Sequence, residues 1–239
     1  MNTLPISEIF LSTQGEGALI GQSTIFVRVG GCDFRCGKCD SLYAVLPTFR
    51  NQWTPMTPTQ IWADIEHLSN HHPLIVTLSG GNPALYPLLG ALIALGKAQG
   101  YRFAVETQGS RIQPWFADVD IVTLSPKAPG MANPVPQRWN RLDACVAFAN
   151  QGPQVVLKIV IFDEADYQYA RQVAERYPHL TMYLQPGNHT PPHLEQELDL
   201  AGILSRLDWL IQRVLQDRWY QAIVLPQMHV LLWGNARGK

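Results

Sequence analysis

Cys32, Cys36 and Cys39 lie within eight residues in the run Gly30-Gly31-Cys32-Asp33-Phe34-Arg35-Cys36-Gly37-Lys38-Cys39-Asp40-Ser41. Thiolates are what iron–sulfur clusters need, and a [4Fe–4S] cube has four corners. Three cysteines at C-x3-C-x2-C spacing leave one iron open to a small-molecule ligand. The competing reading is a structural zinc site, which usually closes with four ligands at paired spacings. No fourth Cys or His follows at such a spacing, although His67, His71 and His72 could fold back. The fourth cysteine, Cys145, lies far off in a predicted helix and reads as a small buried apolar residue. A tight trio of this kind fits a metal or cluster site better than a disulfide framework.

Four further polar groups each follow an apolar run. They are Ser79-Gly80-Gly81, Glu106-Thr107-Gln108-Gly109, Ser125-Pro126-Lys127 and Gln185-Pro186-Gly187-Asn188. The carboxyl ends of strands in barrels and open α/β sheets are where ligands bind. Four such clusters on one edge would make a single site with the cysteines.

The elements that must position them are short, continuously apolar runs of the kind found in buried parallel strands. They are Ile6–Leu11, Thr24–Val29, Leu74–Ser79, Phe103–Glu106, Ile121–Leu124, Val155–Phe162, Met182–Gln185 and Ile223–Leu225. Helices are predicted between them at Thr57–Ser69, Ala84–Ala98, Gln137–Asn150, Asp163–Tyr177 and Leu194–Leu215. The first opens on Thr57-Pro58, an N-cap followed by proline at the first helical position. Strand–helix alternation predicts an α/β fold with a mostly parallel sheet, as a barrel, a partial barrel or an open sheet. No linker-like tract interrupts the chain, so one domain over residues 1–239 is expected.

The chain has 239 residues, 46% of them hydrophobic and 15% charged, with a net charge of -1. That balance suits a compact, well-buried protein and offers no global basic field for nucleic acid. Met1–Glu8 lacks an apolar signal region, and no run of roughly 18 apolar residues suggests a membrane span. A cytoplasmic chain is expected.

The cysteine trio resembles the radical S-adenosylmethionine superfamily, and Ser79-Gly80-Gly81-Asn82-Pro83 resembles its GGE-P motif, with Asn82 where Glu is usual. Lys38 stands where many members carry an aromatic residue. Resemblance is closer to the 7-carboxy-7-deazaguanine synthase family. It rests on Ser12-Thr13-Gln14-Gly15-Glu16-Gly17, on Phe26 through Cys32, and on Cys39-Asp40-Ser41. Glu106 through Gly109, Ser125 through Lys127 and Pro226-Gln227-Met228-His229 continue it, in the family's order.

That resemblance implies a partial (βα) barrel and a reaction. A radical S-adenosylmethionine lyase would convert 6-carboxy-5,6,7,8-tetrahydropterin to 7-carboxy-7-deazaguanine by hydrogen abstraction at C6, ring contraction and loss of ammonia, in queuosine or 7-deazapurine biosynthesis. It implies a [4Fe–4S] cluster on Cys32, Cys36 and Cys39, S-adenosylmethionine, and Mg²⁺ on Ser41. Thr13, Gln14, Gly15, Glu16, Arg28 and Ser79 would bind substrate, Arg28 as a fork for the carboxylate. Gly37, Lys38, Cys39, Gly81, Ser125, Pro126, Lys127, Gln185 and Asn188 would bind the cofactor. Glu106 and His229 would stand around the reacting pterin. A flavodoxin or ferredoxin is the implied electron donor and a homodimer the implied assembly, with no nucleic-acid or membrane partner. The rivals are a radical activase acting on a glycyl-radical partner enzyme and a non-catalytic zinc module.

Overall fold

A computed structural model of the chain describes residues 2–192 and 196–239. Its nine strands are β1 (Leu4–Thr13), β2 (Ser23–Val29), β3 (Thr54–Met56), β4 (Ile75–Gly80), β5 (Arg102–Thr107), β6 (Ile121–Leu124), β7 (Gln154–Ile161), β8 (Thr181–Pro186) and β9 (Ala222–Val224). They form one sheet in the order β3-β1-β2-β4-β5-β6-β7-β8-β9. From β2 to β9 every pair is parallel. The first run departs from the parallel expectation: β1 pairs antiparallel with β2, from Ile6 opposite Val29 to Thr13 opposite Ser23. The connection from Gln14 to Gln22 is too short for a crossover helix, so these strands form a hairpin. The three-residue β3, unmarked in the sequence, pairs antiparallel on the far edge of β1.

Six helices, α1 (Pro58–Leu68), α2 (Leu89–Lys97), α3 (Trp139–Val146), α4 (Glu164–Arg176), α5 (Leu200–Gln216) and α6 (Met228–Trp233), accompany the sheet. The cap read at Thr57 is a full capping box: Gln60 N–H donates to Thr57 Oγ1 (3.3 Å) and Thr57 N–H to Gln60 Oε1 (2.8 Å). The expected helix Ala84–Ala98 is shorter. Pro83–Leu85 is a separate 3₁₀ turn, Tyr86 is extended before Pro87, and α2 begins at Leu89. Leu194, the expected start of the long helix, lies outside the described residues, and α5 begins after the Asp199 cap. α6 was not anticipated.

Alternation along the strands sorts residues to two faces. One face carries Ile25, Val27, Leu78, Phe103, Val105, Leu124, Leu157 and Ile159, which join α1, α2 and α4 in the main core. The other carries Thr24, Arg28, Thr77, Ser79, Glu106, Thr123 and Lys158. Its lower end is closed by Leu19, Ile75, Ala104, Ile121 and Val156. Lys158 on β7 forms an ion pair with Glu16 in the β1–β2 connection. In a flat sheet these positions would be four or five strand spacings apart, roughly 20 Å. The sheet therefore curls into an open barrel whose second face is a lumen.

Candidate active site

The cysteine loop leaves β2 and is clasped to the loop after β4 by backbone hydrogen bonds. Gly81 N–H donates to Val29 C=O (2.9 Å), Asn82 N–H to Gly31 C=O (2.9 Å), and Gly31 N–H to Ala44 C=O (2.7 Å). Gly80 takes φ +109°, which a side chain rarely adopts, and a Cβ on Gly81 would run into the Gly31 carbonyl. Both glycines thus let two loops close over the strand ends.

Cys32, Cys36 and Cys39 line one cleft with Glu16, Ser41, Ser79, Glu106, Lys127 and Lys158. The open space there is about 970 Å³. Phe34, Met131 and Phe162 pack around Cys36, so the cysteine side is apolar. Burial raises the pKa of all three thiols, and pushes Cys39 up to about 12 with help from Asp40. Thiolates here need a cationic partner to offset desolvation.

The donor set fits an iron–sulfur cluster rather than zinc. A tetrahedral zinc would hold sulfurs about 3.8 Å apart, given a Zn–S bond of about 2.3 Å. Among the described residues, the ligand atoms that gather within 4.8 Å are those of Glu16, Asp40 and His229, not the three sulfurs. Three thiols spread around a common cleft suit a larger, multi-iron group.

Opposite the cysteines the cleft is polar. Lys158, only 4% exposed, is paired with Glu16 and, at 3.3 Å, with Glu106. Gln227 Nε2 donates to Glu16 Oε1 (2.6 Å), and Gln14 Nε2 reaches Glu106 Oε1 (3.5 Å). Burial alone would raise the Glu16 pKa, but Lys158, His229 and Gln227 outweigh it and hold the carboxyl well below the usual range. Burial likewise opposes the Lys158 charge, and the two carboxylates overcome it, keeping the ammonium protonated beyond the usual lysine range.

A second arm of the cleft shares Glu16, Ser41, Ser79 and Glu106 and adds Thr13, Gln14, Gly15, Arg28 and His229. Arg28 is held by Tyr43 Oη (2.5 Å) and Glu8 (3.5 Å) amid the Phe10 and Phe26 rings. Ser41 Oγ donates to Asp40 Oδ1 (3.0 Å). His229, expected after a strand, instead sits in the first turn of α6, and Gly15 packs against it.

Most expected site residues therefore converge. Lys38, Ser125 and Asn188 line the cleft, with the Lys38 ammonium 4.0 Å from the Phe162 ring centroid. The Ser79 hydroxyl lines the cleft, buried and without a hydrogen-bond partner among the described residues. Gly37, Pro126 and Gln185 are not among the cleft-lining residues. Gly37 is exposed and donates to Ala132 C=O (3.3 Å). Pro126 is buried, and Gln185, 1% exposed, leaves both amide atoms unpartnered.

Asn82 does not face the cleft. Its Oδ1 accepts from Thr107 Oγ1 (2.8 Å), and its Nδ2 donates to Asp33 Oδ1 (2.8 Å) and Ser110 Oγ (3.1 Å). Gln108 Nε2 donates to the same Asp33 oxygen (2.7 Å) and approaches Cys32 Sγ (3.6 Å). These side chains latch the cysteine loop to the ends of β4 and β5. Sequence reasoning passes over Lys158 and Phe162, and it quotes Gln108 and Gln227 within motifs without giving either a role. The signal for Lys158 was a single charge inside the apolar run Val155–Phe162.

No family model matches the chain. The 7-carboxy-7-deazaguanine synthase of Bacillus cereus is 38% identical over 240 residues, covering 100% of both chains. That of Bacillus subtilis is 38% identical, covering 98% of each chain. That of Synechocystis is 32% identical, covering 92% of this chain and 93% of its own. Among solved structures, QueE from Escherichia coli superposes with a TM-score of 0.61 at 23% identity, over 77% of this chain and 84% of that one. Streptococcus suis SuiB bound to S-adenosylmethionine gives 0.59 at 14% identity, over 84% and 50%. These structures support the fold alone.

Proposed function

This chain belongs to the 7-carboxy-7-deazaguanine synthase family, and on that premise we propose that its cleft converts 6-carboxy-5,6,7,8-tetrahydropterin to 7-carboxy-7-deazaguanine with loss of ammonia. Cys32, Cys36 and Cys39 would hold a [4Fe–4S] cluster, and Gly81, Ser125, Lys127 and Asn188 would bind S-adenosylmethionine, with Ser79 beside the substrate. When bound, these groups supply hydrogen-abstracting, one-electron chemistry that no side chain offers.

The single observation that carries this reading is the clamp of Glu16 and Glu106 by Lys158, in the same cleft as the three cysteines. A pterin presents N–H donors along its pyrimidine edge, and two fixed carboxylates match them as acceptors. Lys158 holds Glu16 ionised and both carboxylates aimed, so little reorganisation accompanies binding. Thr13, Gln14, Gly15 and Arg28 border the second arm, where the guanidinium suits the substrate carboxylate. His229 stands there beside Glu16 and Asp40, within reach of protons released as the ring contracts. Asp40 and Ser41, bordering both arms of the cleft, offer hard oxygens for Mg²⁺.

The apolar wall of Phe34, Met131 and Phe162 keeps water from the cysteine side. No helix of the described residues is long and apolar enough to cross a membrane. We place the enzyme as one domain over residues 1–239 in the reducing cytoplasm, where an oxygen-sensitive cluster and a flavodoxin or ferredoxin donor coexist. A second copy of the chain covers the exposed Leu204, Ile211 and Leu215 of α5 and Ile223 on the free edge strand β9. Sedimentation at micromolar concentration reads that dimer directly.

Anaerobic reconstitution tests the reaction. Reduced protein with S-adenosylmethionine, Mg²⁺ and the tetrahydropterin is expected to yield 7-carboxy-7-deazaguanine by mass spectrometry. A cluster-loaded protein that cleaves S-adenosylmethionine without forming product overturns the substrate assignment.

A further inference from the structure

We propose that the arginine-lined groove beside the cysteine loop is the docking surface for a small, acidic, one-electron carrier protein. The proposal rests on the cluster assignment above and adds where the electron enters. The groove is lined by Phe34, Arg111, Val135, Pro136, Arg138 and Arg141. Phe34 also lines the catalytic cleft, so one buried side chain forms the wall between the two. Phe34 lies between Cys32 and Cys36 in sequence, which makes this outer surface the short route to the cluster.

Charge is segregated there. The chain as a whole has 18 Lys and Arg against 19 Asp and Glu. Yet the two segments that border the groove, Gly109–Ala117 and Ser125–Leu142, carry Arg111, Lys127, Arg138 and Arg141 and no carboxylate. Arg35 adds an exposed cation at the tip of the cysteine loop, its guanidinium donating to the carbonyls of Cys32 (2.5 Å) and Phe34 (2.7 Å). The one acid on the wall, Asp33, is taken up by Asn82 (2.8 Å), Gln108 (2.7 Å) and Arg111 (3.6 Å). Arg35, Arg138 and Arg141 make no ion pair among the described residues.

Val135, 38% exposed, and Pro136 give the groove an apolar centre with an arginine rim. That composition fits a small, transient protein interface steered by charge, as electron-transfer encounters are. The step itself moves one electron: the reduced carrier is oxidised, the cluster is reduced, and no bond forms or breaks. The arginines set the encounter and do not react.

Arg138→Glu/Arg141→Glu in the reconstituted holoenzyme tests this. An acidic flavodoxin serves as the probe, with its affinity read by calorimetry at several salt concentrations. The double variant is expected to bind at least about tenfold more weakly and with a flatter salt dependence. Flavodoxin-supported turnover falls in parallel, while turnover driven by titanium(III) citrate stays at the parental level. Arg138→Lys/Arg141→Lys restores binding. Unchanged flavodoxin affinity in the charge-reversed variant overturns the proposal, as does an equal loss with both reductants. So does a groove that binds RNA but not flavodoxin. If the parent makes no product with either reductant, the proposed reaction fails, yet flavodoxin affinity still decides the docking surface.

Discussion

Cys36 and Glu16 face each other across one cleft, but the chain treats them in opposite ways. Around Cys36 the protein supplies Phe34, Met131 and Phe162, and burial raises the thiol's pKa although the Lys127 ammonium pulls it the other way. Around Glu16 it supplies Lys158, Gln227 and His229, and the carboxyl is held ionised although buried. A thiol trio whose burial outweighs the nearby Lys127 charge waits for a metal group to complete it. A half-buried carboxylate pair with its own buried counter-charge is finished before any ligand arrives. The two walls thus divide the labour: one accepts the reactive group, the other measures the substrate.

Removing a cysteine breaks that division most completely. Cys36→Ala is expected to lose the charge-transfer absorption of the cluster and all product, while leaving the circular dichroism of the fold intact. A variant that keeps both absorption and product would show that the cluster lies elsewhere.

Lys158→Met strikes the other wall. Leaving two half-buried carboxylates without their buried cation costs up to about 3–5 kcal/mol of stability, read by urea denaturation. The pH dependence follows from the signs. The lowered Glu16 pKa adds stability above its ordinary 4.5, lost as pH falls. The raised Lys158 pKa adds stability below its ordinary 10.5, lost as pH rises. The gap between parent and variant should therefore be widest between those values and narrow at either end.

Glu16→Gln is expected to weaken recognition and also to give up part of the ion pair's stability, with Lys158 still held by Glu106. Losing one charge-assisted hydrogen bond of about 1.5–3 kcal/mol weakens pterin binding about 10–100-fold, with cluster content unchanged. Equal loss of S-adenosylmethionine cleavage without pterin would move Glu16 to the other wall. Lys38→Met is the mildest change. Its cation–π contact with Phe162 is worth about 0.5–1 kcal/mol, so S-adenosylmethionine affinity should shift only a few-fold.

The sequence showed the cysteine wall far more clearly than the opposite one. C-x3-C-x2-C is a local pattern, and three ligands within one loop need no long-range folding to be recognised. The glycines at 80 and 81 were legible for the same reason, since close backbone approach leaves a residue-type signature. Lys158 was hidden because its strand reads Val155-Val156-Leu157-Lys158-Ile159-Val160-Ile161, an apolar run at first sight. Only curvature of the sheet turns its inward face into a polar lumen. Asn82 shows in the sequence only as a departure from the Glu of the GGE-P motif, and its partners Asp33, Thr107 and Ser110 come from separate segments that spacing cannot bring together.

By itself the sequence determined the strand–helix alternation, the Thr57 cap, the parallel run from β2 onward and the chemistry of the cysteine loop. Each depends on period, propensity or ligand type within a short stretch of chain. Tertiary structure alone decided that β1 folds back as a hairpin, that α6 brings His229 beside Gly15, and that Lys158 reaches Glu16. Those outcomes depend on how far a twisted sheet curls. Curl is a cooperative property of strand packing and backbone hydrogen bonds across the whole chain, which no local pattern records.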